Sequence, residues 1–579
     1  MASSLLARLG RPAPAVLIIA ALALTAGLAG VFSLPVLDRD EARFAQATAQ
    51  MLETGDFIEI KFLDEPRHKK PAGIHWLQAA AVALTSSENA REIWAYRLVS
   101  VLGAALAAIA TYAAGARLVG RRAGLAAGSL LAVSVLLGAE AGIAKTDAML
   151  CATCAFAFYG IAGLRTADGR GQARVFALIV WIAMGVGVLI KGPVTPLAAG
   201  LCVLVLIALE RRIAWAWPLA WWPGPLIGAA LVLPWLIAVQ VATGGDFLRE
   251  AVGQDIGPKL VSGHESHDGA PGYHLALTAG LFMPAIAFLP AGAVKAARLL
   301  RRGGVAATGV KTALAFALPI WVVFELLPTK LPHYVLPAYP ALAVIAGLGF
   351  AGLSTTSWPQ RAAGAALLLI GAGLSGAGVL AVLHLAGGAP LDLAALIGAA
   401  VFALAAAASV ALVQRRAVLA LVLALLTGLA WHGGVRGLAA PAAGELFVSA
   451  RAAHAAQALA QGVGDARPPA QIISTFTEPS LVFALGGQIR LSDPDAMVRL
   501  PVDPSAPRVY IIDESRWMTS ETGPLDAESQ DARMTWLAAL NDAACARSAT
   551  TGVNYSRGPQ AVVVAVYLTG CPQPLEEAS

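Results

Sequence analysis

A polytopic α-helical membrane protein with a small α/β unit at its C-terminal end is the fold class that this 579-residue sequence predicts. Three observations lead there. The composition is 58% hydrophobic and 13% charged, with mean hydropathy +0.69, against about 25% charged residues in a soluble domain. Apolar runs recur between short basic connectors, and each is long enough for a membrane helix, which needs about 20 residues to cross about 30 Å of hydrocarbon. Beyond residue 440 the texture changes to short β-branched runs and helical patterns.

Within residues 1–440, about thirteen runs of membrane-helix length start near residues 13, 94, 123, 147, 175, 193, 221, 273, 311, 333, 362, 389 and 417. The first starts late and lacks a convincing cleavage site, so it reads as a retained anchor. Residues 34–93 then form a long loop with interfacial character. ARFAQATAQML puts Phe44, Thr48 and Met51 or Leu52 at helical spacing, as in a helix lying in the interface. ETGDF is a turn. In EPRHKKPAGIHW, Pro71 breaks any preceding helix, and Trp76 follows at the membrane boundary.

Orientation follows from Lys and Arg, which stay on the cytoplasmic side. Arg8 and Arg11 precede the first run, and the even-numbered runs empty into RLVGRR, RTADGRGQAR, ERR, KAARLLRRGG, SWPQR and QRR. The N-terminus is therefore expected in the cytoplasm. The loops 34–93 and 242–272 and the unit 441–579 are expected outside. The net charge of +5 is topological on this account and implies no nucleic-acid partner. In the last unit, QIISTF, RVYIIDES and AVVVAVYL read as strands, while GELFVSARAAHAAQALAQG and the stretch around TWLAALNDAACAR read as helices. Cys545 and Cys571 could pair in an oxidising compartment. Cys151, Cys154 and Cys202 lie inside apolar runs and read as packing.

A charge in lipid is expensive and marks a functional candidate. Mid-run positions here are Ala, Leu, Val and Gly, whereas the unexplained charges, including Asp38, Asp40, Glu140, Lys145, Asp147 and Glu325, gather at the outward ends. A transporter or flippase would place polarity near the bilayer midplane in repeated, broken helices. The pole of carboxylates and cations instead suits an enzyme acting on phosphorylated lipids, with membrane lipids as its surroundings.

DRDEARFA, ETGDF, HKKPAGIHW, KTDAM, KGP, GHESHDGAPGYHL, TKLPHYVLPAYPAL and TEPSLVFALGG occur in the order found in the lipid A aminoarabinose transferases. The chain resembles these and the related dolichyl-phosphate-mannose protein mannosyltransferase-like GT-C membrane glycosyltransferases, most fully over residues 30–350. The resemblance implies a GT-C fold, a polyprenyl-phosphate (undecaprenyl-phosphate) sugar donor, inversion at the anomeric carbon, and no nucleotide sugar. A lipid A or lipopolysaccharide-type acceptor at the periplasmic face of a bacterial inner membrane is the expected partner. A same-fold transferase acting on protein or a surface polysaccharide is the alternative.

The resemblance further implies Asp40 and Asp147 as catalytic carboxylates, Lys70 at the donor phosphate and Tyr334 as a second phosphate contact. Around them, Glu41, Arg43, Lys69, Lys191, Arg249, Lys259, His264, His267, Lys330 and His333 are substrate-binding candidates. Cations near Lys70 would stabilise the departing phosphate, since preorganised charge in a dry site is usually the largest catalytic effect. Asp40 would orient or deprotonate the acceptor. The simpler reading of DRDE is that Asp38 and Arg39 pair at the surface while Asp40 and Glu41 cap a helix N-terminus, which favours anions. Nothing in the sequence points to a nucleotide cofactor. A divalent metal ion could lie between Asp40 and Asp147, while HESHD lacks a closed tetrahedral ligand set and reads as a surface loop.

Overall fold

The computed structural model describes residues 10–87, 91–251, 253, 269–461, 471–486, 489–519, 525–555 and 560–571. The first apolar run is α1 (Pro12–Leu28). The loop after it holds α2 (Asp40–Thr54), the short hairpin β1 (Lys61–Phe62) and β2 (Glu65–Pro66), and α3 (Gly73–Thr85). Helix α2 buries Phe44, Thr48 and Met51 as their spacing predicts. It stops at Gly55, whose φ of 71° lets its N–H reach Met51 O at 2.9 Å, the left-handed cap that glycine adopts without strain. With 13 residues, α3 is too short to cross, since a crossing takes about 20 residues. It lies against α2, where the Thr48 hydroxyl meets His75 Nδ1 and Gln78 Oε1, both at 2.8 Å.

The helical body continues with α4 (Ile93–Leu118), α5 (Arg121–Ala132), α6 (Val135–Ala141), α7 (Asp147–Arg165), α8 (Arg170–Lys191), α9 (Val194–Glu210), α10 (Pro223–Ala242) and the short α11 (Asp246–Glu250). It ends with α12 (Tyr273–Leu281), α13 (Leu289–Arg302), α14 (Gly304–Leu326), α15 (Tyr339–Ala351), α16 (Trp358–Gly371), α17 (Val379–Leu385), α18 (Leu391–Val413) and α19 (Ala417–Trp431). Among the described residues, 9 helical stretches are long and apolar enough to cross a membrane, or up to 11 if each of two bent pairs is one span. The bends are 54° between α5 and α6 and 102° where Tyr273–Leu281 meets Ala285–Arg302. The first and sixth expected runs are shorter apolar helices, α1 and α9, of 17 residues each.

Small residues set the distances that matter for the site. A Cβ on Gly103 of α4 would stand 2.7 Å from the Met149 nitrogen, so α4 and α7 approach as only glycine allows. At the far pole, Arg117, Arg165 and Arg174 lie 4.4, 4.7 and 5.0 Å from the ring centroids of Phe176, Trp215 and Trp221. Such cation–aromatic pairs fit helix ends at a membrane boundary.

Residues beyond the helical body build a mixed five-stranded sheet in the order β4-β3-β5-β7-β6. The strands are β3 (Gln471–Ser474), β4 (Ile489–Leu491), β5 (Arg508–Asp513), β6 (Ala546–Asn554) and β7 (Gln560–Thr569). β3 is parallel to β4 and β5, whereas β7 is antiparallel to β5 and β6. Helices α20 (Val448–Gln461), α21 (Pro479–Leu485) and α22 (Ala527–Ala543) accompany it. Cys545 and Cys571 are joined in a disulfide, with Cα atoms 6.2 Å apart. The expected strands correspond to β3, β5 and β7; β4 and β6 are additional. Helix α21 enters the helical body: Phe483 is buried with Ala45, Ala49, Val82, Ala95, Tyr96 and Ala144.

Candidate functional site

Two cavities meet at one pole of the helical body. The first, of about 450 Å³, is polar and is lined by Asp40, Arg43, Arg67, His68, Lys69, Lys70, Lys145, Asp147, Lys191, Glu250, His333 and Tyr334, with Thr477 and Pro479 from the C-terminal unit. The second, of about 360 Å³, is a mainly apolar groove along Leu150, Val188, Val194, Val232, Trp235, Leu236, Phe247, Phe324 and Pro337. Lys69, Lys70, Asp147, Lys191, Thr329, His333 and Tyr334 line both. These seven form a collar between a polar chamber and an oily groove.

The collar is built by chain breaks. Pro71 ends the KK segment, and a Cβ on the following Gly73 would meet Leu189 O at 2.7 Å, so this loop seats on the end of the helix that finishes in Lys191. Asp147 is the first residue of α7. Its carboxylate takes Lys191 Nζ at 2.5 Å and stands 3.6 Å from Lys145 Nζ and 3.7 Å from His333 Nε2. Glu140 pairs with Lys145 at 2.9 Å. Lys191 Nζ also lies 5.9 Å from the centre of the Tyr334 ring.

Asp40 opens α2 and is exposed to the chamber, and its charge acts on Lys145. His68, from the hairpin side, bonds Glu250 through Nδ1 at 3.0 Å, tying the first loop to α11. Arg67 covers the Phe44 ring at 5.1 Å.

Of the sequence candidates, Asp40, Arg43, Lys69, Lys70, Asp147, Lys191, His333 and Tyr334 are thus brought together. Glu41 is not part of the lining. It is 1% exposed and is held by the Arg97 guanidinium at 2.7 and 2.8 Å, with the amides of Leu37 and Ala144 donating at 2.8 and 2.7 Å. Its role is that of a bracket between the DE segment and the turn before Asp147. Lys330 points into its own loop, donating to the carbonyls of Glu325 and Leu327 at 2.8 and 2.5 Å. Arg249 is largely exposed and pairs with Asp246 at 2.9 Å. Lys259, His264 and His267 lie outside the described residues.

Asp38 also departs from its expected pairing with Arg39. Its carboxylate accepts from the hydroxyls of Ser480 and, at 3.5 Å, Ser449, and its amide donates to the Tyr555 hydroxyl at 2.9 Å. Burial pushes the Asp38 carboxyl up to about 6, against the lowering effect of the Ser480 hydroxyl. Arg39 is exposed, with φ of 62°.

For a divalent ion, Glu140, Asp147 and His333 offer ligand atoms within 4.8 Å of one another; Asp40 is not in that set. Lysine ammonium groups already stand against both carboxylates there, so Lys145 and Lys191 supply the positive charge that an ion would bring. Sequence reasoning missed Arg67, His68, Glu250 and Thr477 as lining residues, and placed Lys145 only in the outward pole. Signals were there for several of them: His68 opens HKKPAGIHW, Thr477 opens TEPSLVFALGG, and Lys145 stands two residues before the aspartate of KTDAM.

Residues 69–237 match the family model described as dolichyl-phosphate-mannose-protein mannosyltransferase. An undecaprenyl phosphate-alpha-4-amino-4-deoxy-L-arabinose arabinosyl transferase of Edwardsiella ictaluri is 28% identical over 313 residues, covering 53% of this chain and 54% of that protein. The protein of the same name in Pseudomonas aeruginosa is 27% identical over 310 residues, with the same coverage. The chain spans about half the length of these curated relatives. The crystal structure of ArnT from Cupriavidus metallidurans bound to undecaprenyl phosphate superposes with a TM-score of 0.71 at 21% identity, over 95% of this chain and 97% of that one. The fold is therefore the one seen in that ArnT structure, and the expected resemblance to the aminoarabinose transferases is found in these relatives.

Proposed function

We propose that this chain is an inverting membrane glycosyltransferase that moves a sugar from an undecaprenyl-phosphate-type carrier to a lipid A-type acceptor at the periplasmic face of a bacterial inner membrane. The observation that carries this reading is the collar common to the two cavities. The groove suits an isoprenoid tail, the collar its phosphate, and the chamber the sugar and acceptor. Lys70, with Lys69, Lys191 and Tyr334, would stabilise the phosphate as it departs, while Asp147 keeps the ammonium groups in place. Asp40 would hold the acceptor oxygen on the opposite side of the sugar and take its proton. Arg43 and His333 complete the substrate-facing wall, and the lysines provide the charge for which a metal was an alternative.

In this reading each bent pair is one span and α1 and α9 also cross, since their 17 residues match the lower end of the range of about 17 to 25; together these make the full set of crossings expected from the sequence. The N-terminus is cytoplasmic and residues 441–579 are periplasmic. Cysteines introduced near Gly169 and near Ser492 test this on intact cells: only the latter position should label from outside, and the reverse pattern overturns the orientation.

A protein acceptor is the second reading, favoured by the mannosyltransferase description of the matching family model. Purified protein in detergent, given an undecaprenyl-phosphate-linked aminosugar and either lipid A or a polypeptide acceptor, separates the two by mass spectrometry. Transfer without a bilayer excludes simple flipping. Lys70→Ala should lower turnover by about 100- to 1,000-fold, the effect typical of removing one preorganised stabilising group. Wild-type turnover across donor concentrations would remove Lys70 from the phosphate site.

A further inference from the structure

We propose that Asp38 is a positioning residue that couples the C-terminal unit to the acceptor side of the chamber. Three separate parts of that unit converge on it: Ser449 in the first turn of α20, Ser480 in α21, and Tyr555 just past β6. Two residues further along the chain, Asp40 opens α2 into the chamber. On the partner side, Thr477 and Pro479 line the same chamber immediately before Ser480. The latch therefore joins two walls of one cavity, one from each unit.

The surrounding packing makes this junction stiff. Helix α21 is wedged into the helical body through Phe483, whose ring stacks edge-on against Tyr96 at 5.4 Å. Arg91 donates to Phe483 O at 3.0 Å and to Gln46 of α2 at 2.7 Å. Glu478, between the two lining residues, accepts from Asn554 at 2.8 Å, next to Tyr555. Arg97 fixes Glu41 in the helical body, and the C-terminal unit fixes Asp38 in the same short segment. Asp40 is held between two anchors.

The inference rests on the transferase reading, because it assigns the Asp40 side of the chamber to the acceptor. The phosphate-facing lysines come from other elements, the segment before α3 and the end of α8, so loosening Asp38 should spare donor binding. A displacement of about 1 Å at a reacting group can cost about 100-fold. Ser480→Ala and Asp38→Ala should thus lower kcat/KM for the acceptor by about 10- to 100-fold, with the affinity for undecaprenyl phosphate unchanged. Because Asp38→Ala already removes the contact that Ser480→Ala breaks, together with that to Ser449, the double variant should lose no more than Asp38→Ala alone.

Hydrogen exchange provides a readout that does not depend on transfer. Amides over residues 37–46 should exchange faster in Ser480→Ala and in Tyr555→Phe, while those of α7 stay protected. Unchanged exchange over 37–46 in both variants overturns the coupling, whether or not sugar transfer is seen. So does a loss of carrier affinity as large as the loss of acceptor kcat/KM. Absence of any transfer by the wild type refutes the transferase reading instead, and the exchange result still decides the coupling.

Discussion

Asp40→Asn lowers turnover by about 100- to 10,000-fold, the range for a lost general base, while thermal stability stays close to wild type. Both halves of this expectation come from position. Asp40 is the first residue of α2 and faces an open chamber, where its charge contributes to stability mainly through the helix N-terminus, worth about 0.3–1 kcal/mol. The asparagine keeps the size and a hydrogen-bonding side chain, so the helix start is little disturbed. What disappears is the negative charge beside the acceptor oxygen. Steady-state transfer together with a thermal unfolding curve in detergent checks the pair of outcomes. Full turnover in Asp40→Asn would falsify its assignment as the acceptor-side carboxylate.

Asp147→Asn behaves differently, because it loses stability and transfer together. The carboxylate is 4% exposed and stands among Lys191 at 2.5 Å, Lys145 at 3.6 Å and His333 at 3.7 Å. Removing one partner of a buried ion pair leaves uncompensated charge and typically costs about 3–5 kcal/mol. The two ammonium groups would then separate, widening the collar that the donor phosphate has to bridge. A lowered unfolding midpoint with weakened undecaprenyl-phosphate binding is the expected result. An unchanged midpoint would show that Asp147 is not what holds the lysines.

Much of this site is legible in the sequence because its residues stand beside chain breaks. Asp40 opens a helix, Lys69 and Lys70 precede Pro71, Asp147 opens α7, and His333 and Tyr334 follow Pro332. Each lies at the outward end of an apolar run, where a charge is conspicuous. Glu41 and Asp38 look similar in one dimension and differ completely in three. Their roles depend on Arg97, Ala144, Ser480 and Tyr555, and nothing in DRDE says which of four adjacent charges turns inward. Lys330 misled for the same reason: a lysine in a polar turn reads as a ligand, whereas the backbone carbonyls of Glu325 and Leu327 turn its ammonium group back into its own loop.

The fold divides along similar lines. Uniform apolar runs reveal helices but hide bends, so the 54° break after Ala132 has no compositional mark. Strand β6 escaped notice because ARSATTGVN is mostly small and polar, as suits a sheet edge with one solvated face.

The collar shared by chamber and groove has a kinetic consequence. In the proposed reaction the donor reaches Lys69, Lys70 and Lys191 as a phosphate diester with one negative charge. Once the sugar has gone, the same lipid carries a terminal phosphate whose second pKa is near about 6, so around neutrality it bears close to two. Its tail still fills the groove, and its head meets the same cations with more charge than before. The chemistry therefore tightens the enzyme's grip on its own by-product. Escape of the spent carrier into the bilayer should then be slowed, and free undecaprenyl phosphate is expected to compete with the loaded donor rather than with the acceptor.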